Sequence, residues 1–390
     1  MNTEHVPGIQ PAVLRWARQS IGLSVSDVAA KLKRPVEEIV AWESGDRAPT
    51  YAQLEKLAYM VCKRPLAVFF LPSPPDEIPP EREFRTLPDA DLTALTVDTH
   101  IQIRKAHAYQ LALQELFDGR NPSERCIWKQ LSLSREVPIS LQAKAIREYL
   151  GISLETQCAW KDDDVALKHW RAAIENVGIF IFKAPFKQKE ISGFCLLDKD
   201  FPIIYINNST TKTRQIFSLF HELAHLLFAV NGLSKLDKSY INYLPKDEKQ
   251  IEQHCNAIAA EVLIPSSDFK QKTRLLPTNI EQVNEGQFSE LANRYGVSRE
   301  AILRRFLDQG RVSQEFYEQQ AKRWANQQKS GSGGDWYASQ KAYLSDRFAK
   351  EVISRHYRNQ LSIEQAADLL GISPKNFPGL EQRILQGSAV

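Results

Sequence analysis

The sequence predicts a mostly helical α+β protein of two or three domains. Three observations carry this. Helical periodicity runs through most of the 390 residues. Three short β-rich runs are confined to residues 179–207. Two breaker-rich stretches divide the chain, a stiff Pro-rich one at 72–80 and a flexible Gly/Ser one at 329–334. The expected layout is a domain at 1–71, the first linker, a domain at 81–328 with its core at 165–310, the second linker, and a helical domain at 335–390.

Composition narrows the class. The chain is 43% apolar and 25% charged, as in a soluble globular protein. A net charge of +3 means that any nucleic-acid contact must come from a local patch. No apolar run reaches the roughly 18 residues of a membrane span. Pro7, Pro11, Arg15 and Arg18 interrupt the first residues, so no secretory leader is expected. The five cysteines, Cys62, Cys126, Cys158, Cys195 and Cys255, are scattered and form no C-x-x-C pair. That pattern favours reduced thiols and a bacterial cytoplasm over a disulfide framework or a cysteine–zinc site.

In chain order, helices are expected at 11–20, 24–33, 35–44, 50–61 and 65–70, separated by Gly22, Pro35, Gly45 and Pro49. A long amphipathic helix follows at 91–119, then helices at 141–150 and 165–177. Asp162-Asp-Asp164 favours the start of the latter by capping and by the helix dipole. The runs 179–183, 191–197 and 202–207 read as strands. Helices return at 213–230, 247–263, 288–295, 299–308 and 314–326. The last block holds one long helix through Tyr357, and residues 361–373 resemble the first half of a helix-turn-helix, with Gly371 at the helix end.

The chemistry-bearing motif is His221-Glu222-x-x-His225. Four residues apart on a helix, the two histidines stand about 40° apart on one face and can hold one ion. Ile216, Phe217, Leu219, Phe220, Leu223, Leu226 and Leu227 make that helix apolar nearly all round, hence buried. Buried histidines flanking a buried glutamate are costly unless something satisfies them, and one Zn²⁺ per chain does so. Glu222 is then placed to take a proton from the attacking water and pass it to the leaving amine. A catalytic zinc needs a third ligand and an open position. Glu252, opening a second helix, is the best candidate, with Glu248 as the alternative. Glu261 lies about 180° round that helix and His254 points elsewhere. Chance alone gives H-E-x-x-H in roughly 1% of chains of this composition, so the preceding strand, the buried helix and the downstream glutamate helix carry the assignment.

The stretch Phe217-Ser-Leu-Phe-His-Glu-Leu-Ala-His-Leu-Leu-Phe228 resembles the ImmA/IrrE family of bacterial and phage metallopeptidases. So do Glu252-x-x-Cys-Asn-x-Ile-Ala-Ala-Glu-Val-Leu-Ile-Pro265 and residues 288–305. Cys255 and Ile258 stand where the family usually has Ala and Phe, and Leu263-Ile-Pro265 replaces Leu-Met-Pro; no ligand is lost. The resemblance implies a zincin-like fold, with His221, His225 and Glu252 as zinc ligands and Glu222 as the general base. It also implies an endopeptidase acting on a specific regulatory protein such as a repressor or antitoxin.

Ser24-Val-Ser-Asp-Val-Ala-Ala-Lys-Leu-Lys33 and Val36-Glu-Glu-Ile-Val-Ala-Trp-Glu-Ser-Gly45 have helix-turn-helix spacing and resemble the Xre, lambda-repressor-like, five-helix domain. The second helix carries Glu37, Glu38 and Glu43 where base-reading donors normally sit, and its turn is Lys33-Arg34-Pro35 rather than a glycine. Lys33, Arg34 and Arg47 are the DNA contacts to expect if DNA is bound. The competing expectation is protein contact or dimerisation. Fusions of this layout resemble antitoxins of toxin–antitoxin pairs, so the alternative function is a regulator that neutralises a toxin by binding, with the peptidase fold as scaffold. His100 and His107, seven apart, read as an ordinary half-exposed pair. Trp336, Tyr337 and Tyr343 read as docking the tail onto the body. Tyr205, Tyr240 and Tyr243 are each candidates for stabilising an oxyanion.

Overall fold

The structure, a computed structural model, describes residues 5–84, 86–236, 239–278, 280–326 and 335–386. The expected Gly/Ser linker at 329–334 lies outside them. The protein is mostly helical, with an N-terminal multi-helix bundle, a central mixed sheet and C-terminal helices. It divides into two compact units, Met1–Lys105 with Phe186–Gln188, and Ala106–Pro185 with Lys189–Val390.

The first unit begins with helices Pro11–Gln19, Val25–Leu32 and Val36–Ser44. Tyr51–Lys56 continues as a π-helical stretch, Leu57–Cys62, and a 3₁₀ turn follows at Leu66–Phe70. Capping boxes start two of these helices: Ser24 with Asp27, and Thr50 with Gln53. Lys33 ends the second helix in the left-handed conformation, φ 54°, doing at some conformational cost what the missing glycine would do freely. Val28, Ile39, Trp42, Leu54 and Phe69 fill the core. Glu43 is also buried there, with both carboxylate oxygens accepting from Arg18 at 2.7 and 2.8 Å. The Pro-rich stretch is tied down, because Glu77 accepts two hydrogen bonds from Arg64, whose guanidinium also lies 4.0 Å over the Trp16 ring. The expected long helix at 91–119 is two: Asp89–Thr93, and Val97–Leu116 after a break at 94–96. The Thr96 hydroxyl receives the Thr99 N–H and starts the second. Asp118 and Gly119, both at positive φ, end it. His100 is buried rather than half-exposed, its ring against Gly22.

In the second unit the three expected strands are present: β1 (Phe180–Ala184), β2 (Ile191–Leu196) and β3 (Ile203–Asn207). A fourth, β4 (Leu233–Lys235), follows the motif helix at the sheet edge. The order is β1-β3-β2-β4, with β1 parallel to β3 and the other pairs antiparallel. Every residue of β1 to β3 is buried. The motif helix packs on β2 and β3, while Tyr109 stacks on Phe182 at 4.0 Å with Phe348 edge-on to both rings. Phe348 belongs to the C-terminal block, expected as a separate domain. Within this unit that block is held by the Arg171 guanidinium on the Ala342 and Leu344 carbonyls, by the Asp346 N–H on Glu175, and by Arg355 on Leu116 and Asp118. Asp162 caps helix Asp163–Asn176 by accepting from the Val165 N–H.

Candidate metal centre

The histidine helix, Lys212–Leu227, starts where Thr211 accepts from the Arg214 N–H, and it is buried from Ser218 to Leu227. Strand packing on one side and the glutamate helix, Lys246–Leu263, on another bury its middle. Glu222, His225 and Glu252 are fully buried and His221 is 4% exposed. His221 Nε2 and His225 Nε2 lie 3.0 Å apart, and the Glu252 carboxylate is 3.3 Å from the first and 3.0 Å from the second. Among the described residues this is the one group whose ligand atoms converge as a metal site. Zinc held tetrahedrally at about 2.0–2.1 Å spaces its ligand atoms by about 3.3 Å, so the donor set fits such an ion in type and in spacing.

The surroundings sharpen the fit. Neither oxygen of Glu222 has a hydrogen-bond partner among the described residues, nor does Nδ1 of either histidine. A buried carboxylate left this way costs several kcal/mol unless another group satisfies it. Burial alone would push the Glu252 carboxyl up, but the two histidines against it prevail and hold it well below the usual carboxylate range. Tyr240 donates its hydroxyl to Glu252 at 2.9 Å. Burial and that carboxylate push the phenol well above its ordinary value, so it remains a donor.

Several residues close around this group without having been singled out in the sequence. Gly232 lies so close that a Cβ there would stand 2.6 Å from the His225 ring and 2.9 Å from a Glu222 oxygen. Cys195 and Cys255 are fully buried beside Glu222 and His225, with burial raising both thiols. The structure also separates the three tyrosine candidates: Tyr240 meets the ligand cluster, Tyr205 stacks on Phe194 within the sheet, and Tyr243 is 79% exposed. Glu248 is outside the cluster. Glu261 is committed to Arg305 and Ser266, and His254 to Gln142 and the edge of Phe228.

In the N-terminal unit, Lys33, Arg34 and Arg47 are exposed, and Arg34 lies 3.9 Å from Glu38. Helix Val36–Ser44 carries no Arg, Lys, Asn or Gln; its outer face shows Val36, Glu37 and Val40. Against known families, residues 174–307 match the IrrE N-terminal-like domain, which covers the four strands and both ligand helices. Residues 14–58 match a helix-turn-helix domain. Comparison with the curated proteins finds no match.

Proposed function

Because the chain joins an Xre-type helix-turn-helix domain to an IrrE-like peptidase domain, the architecture of the ImmA/IrrE family, we propose that it is a zinc-dependent endopeptidase acting on a specific regulatory protein. The observation that carries the reading is Glu222. It is fully buried beside three converging ligand groups, and nothing among the described residues bonds its carboxylate. His221, His225 and Glu252 would hold one Zn²⁺. When bound, that ion supplies Lewis acidity and an open coordination position.

The remaining steps belong to this chain's own side chains. The Glu222 carboxylate takes the proton from the attacking water and hands it to the departing amine nitrogen. Tyr240 holds Glu252 in place through its hydroxyl. Cys195 and Cys255 pack the base and the second histidine, and keeping those thiols reduced suits a cytoplasmic setting. The substrate class, a repressor or antitoxin, rests on the family architecture.

The helix-turn-helix domain supports a second reading alongside this one. A face of Val36, Glu37 and Val40 favours contact with protein, a toxin, a substrate or a second copy, over reading of bases. Operator binding would have to rely on phosphate contacts from Lys33, Arg34 and Arg47. The test is the intact mass of the neighbouring gene product after co-expression with wild type and with Glu222→Gln. Cleavage by wild type alone is the expected result. A partner that co-purifies uncut with both would make the chain a binding regulator built on a peptidase fold.

A further inference from the structure

The C-terminal block repeats the helix-turn-helix of the N-terminal domain in the same register. Each begins on a capping box, Ser24 with Asp27 in one and Ser362 with Gln365 in the other. Each buries the same two positions of its first helix, Val28 and Ala29, or Ala366 and Ala367. Each then turns through a left-handed residue, Lys33 at φ 54° or Gly371 at φ 70°. Just after that turn the Arg34 N–H donates to the Ala29 carbonyl and the Ile372 N–H to the Ala367 carbonyl, both at 2.9 Å. Ile39 and Trp42 are buried on the second helix of the first unit, and Phe377 and Leu380 at the same positions of the other. No residue is inserted or deleted between the two. Helix Asp346–Tyr357, with Phe348, Val352 and Ile353 buried, packs on both C-terminal helices and completes the bundle. We infer that residues 346–386 form a second helix-turn-helix unit and that its partner is duplex DNA. The inference stands apart from the peptidase reading.

What differs between the two units is the reading surface. The positions of Glu37 and Glu38 are taken by Lys375 and Asn376, and that of Pro35 by Ser373. Ser373 and Lys375 are exposed and Asn376 is half-buried. Ionised carboxylates only accept hydrogen bonds and are repelled by phosphates, whereas Lys donates to guanine and Asn pairs with adenine. These residues lead into helix Phe377–Gln386, whose first turn is where a recognition helix meets base edges and where its dipole favours phosphate. Arg358, Asn359 and Gln360, all exposed, form the loop between the first and second helices of the unit, an element that reaches the backbone in related bundles. Arg358 donates to the Ser354 hydroxyl at 2.6 Å and lies 4.0 Å from Glu351, yet its side chain stays 56% exposed. Glu364 and Asp368 share one flank of helix Ile363–Leu369 and confine the cationic surface to this loop, the turn and the start of the last helix.

The far half of the last helix is already engaged. A Cβ at Gly379 would stand 2.5 Å from the Tyr337 ring, so only glycine lets helix Trp336–Tyr343 come this close. Lys341 donates to the Arg383 and Ile384 carbonyls, and Arg383 pairs with Asp335 at 3.4 Å. Helix Trp336–Tyr343 thus braces one side of the reading helix and leaves its opening turn to the groove.

The experiment is fluorescence anisotropy of the full-length chain on a labelled pool of mixed-sequence duplexes of about 20 base pairs, starting at about 50 mM salt. Wild type should bind, and doubling the salt should weaken binding about fivefold, as two or three phosphate contacts require. Lys375→Glu and Arg358→Glu should each weaken binding about tenfold, and Lys375→Arg should keep it. The N-terminal pair Arg34→Glu with Arg47→Glu should stay within about threefold of wild type. Unfolding midpoints of all variants are measured alongside and should match wild type, since the substituted residues are exposed. Binding that survives both Lys375→Glu and Arg358→Glu but is lost in the N-terminal pair assigns the DNA to the other unit and overturns the inference. Failure of wild type to bind any duplex at the starting salt overturns it as well and leaves the block as a protein-docking domain.

Discussion

Two glutamates, each on a helix and each buried, have opposite surroundings. Glu43, in the helix-turn-helix domain, accepts two hydrogen bonds from Arg18 and has Arg15 at 3.9 Å. Its charge is answered within the fold. Glu222, in the histidine helix, is more deeply buried, and neither oxygen is bonded among the described residues. The contrast separates two uses of a buried charge. A paired carboxylate fixes how helices cross; an unpaired one beside three ligand groups is kept for something that comes from outside the chain.

The contrast can be broken from the catalytic side first. Glu222→Gln should cut cleavage of the protein substrate by about a thousandfold or more, while zinc content and the unfolding midpoint stay near wild type. A variant that keeps its activity would show that Glu222 is not the base. From the structural side, Arg18→Ala strands the Glu43 charge and should cost about 3 kcal/mol in urea unfolding of the N-terminal domain. A loss under about 1 kcal/mol would mean that Glu43 reaches water and is no counterpart to Glu222.

A third buried charge sharpens the comparison. Lys183, on β1, is 5% exposed, and its amine donates to Gln215 at 2.9 Å. Burial is the main cause that brings its pKa down to about 7, with Arg171 and Lys212 adding to it. The unfolded chain therefore binds this proton more tightly than the folded one. Stability should fall as pH drops from about 10 to 7 and level off below, and Lys183→Met should remove that slope and gain on the order of 1–3 kcal/mol at neutral pH. A pH–stability curve that is the same for both proteins would contradict this. Smaller still, Gly232→Ala forces a methyl group onto His225 and Glu222 and should weaken zinc binding about tenfold in a chelator competition. At the bottom of the scale, Lys33→Gly relieves a left-handed lysine and should raise the unfolding free energy by up to about 1 kcal/mol.

How much of this was legible in the sequence differs between the same two regions. The four-residue spacing of His221 and His225, an apolar helix around them, and Glu252 at the inner face of the next helix all follow helical periodicity, which is local. Glu43 was readable only as an exposed acid on a recognition-like helix. Its partner Arg18 lies 25 residues back, and no local period connects the two. β4 was hidden for a related reason. Leu233-Ser-Lys235 is too short to show alternation, and it is a strand only because β2 offers it an edge. Residues 228–230 read as a continuation of the histidine helix, but Ala229 turns left-handed at φ 57°. That turn brings Gly232 and β4 back over the ligands. The sequence left three tyrosines open as candidates; tertiary packing separates Tyr240 from the other two. The C-terminal block read as a separate domain because 329–334 is Gly/Ser-rich, whereas Phe348 and Arg355 join it to the core of the second unit.

The most direct test of the central claim is metal stoichiometry. The full-length chain is saturated with zinc, desalted and measured by elemental mass spectrometry, alongside His221→Ala, His225→Ala, Glu252→Ala and Glu222→Gln. The account predicts about one zinc per chain in wild type and in Glu222→Gln, and its loss in the three ligand variants. Zinc retained at wild-type level by His225→Ala or Glu252→Ala, or none held by the folded wild type, would contradict it.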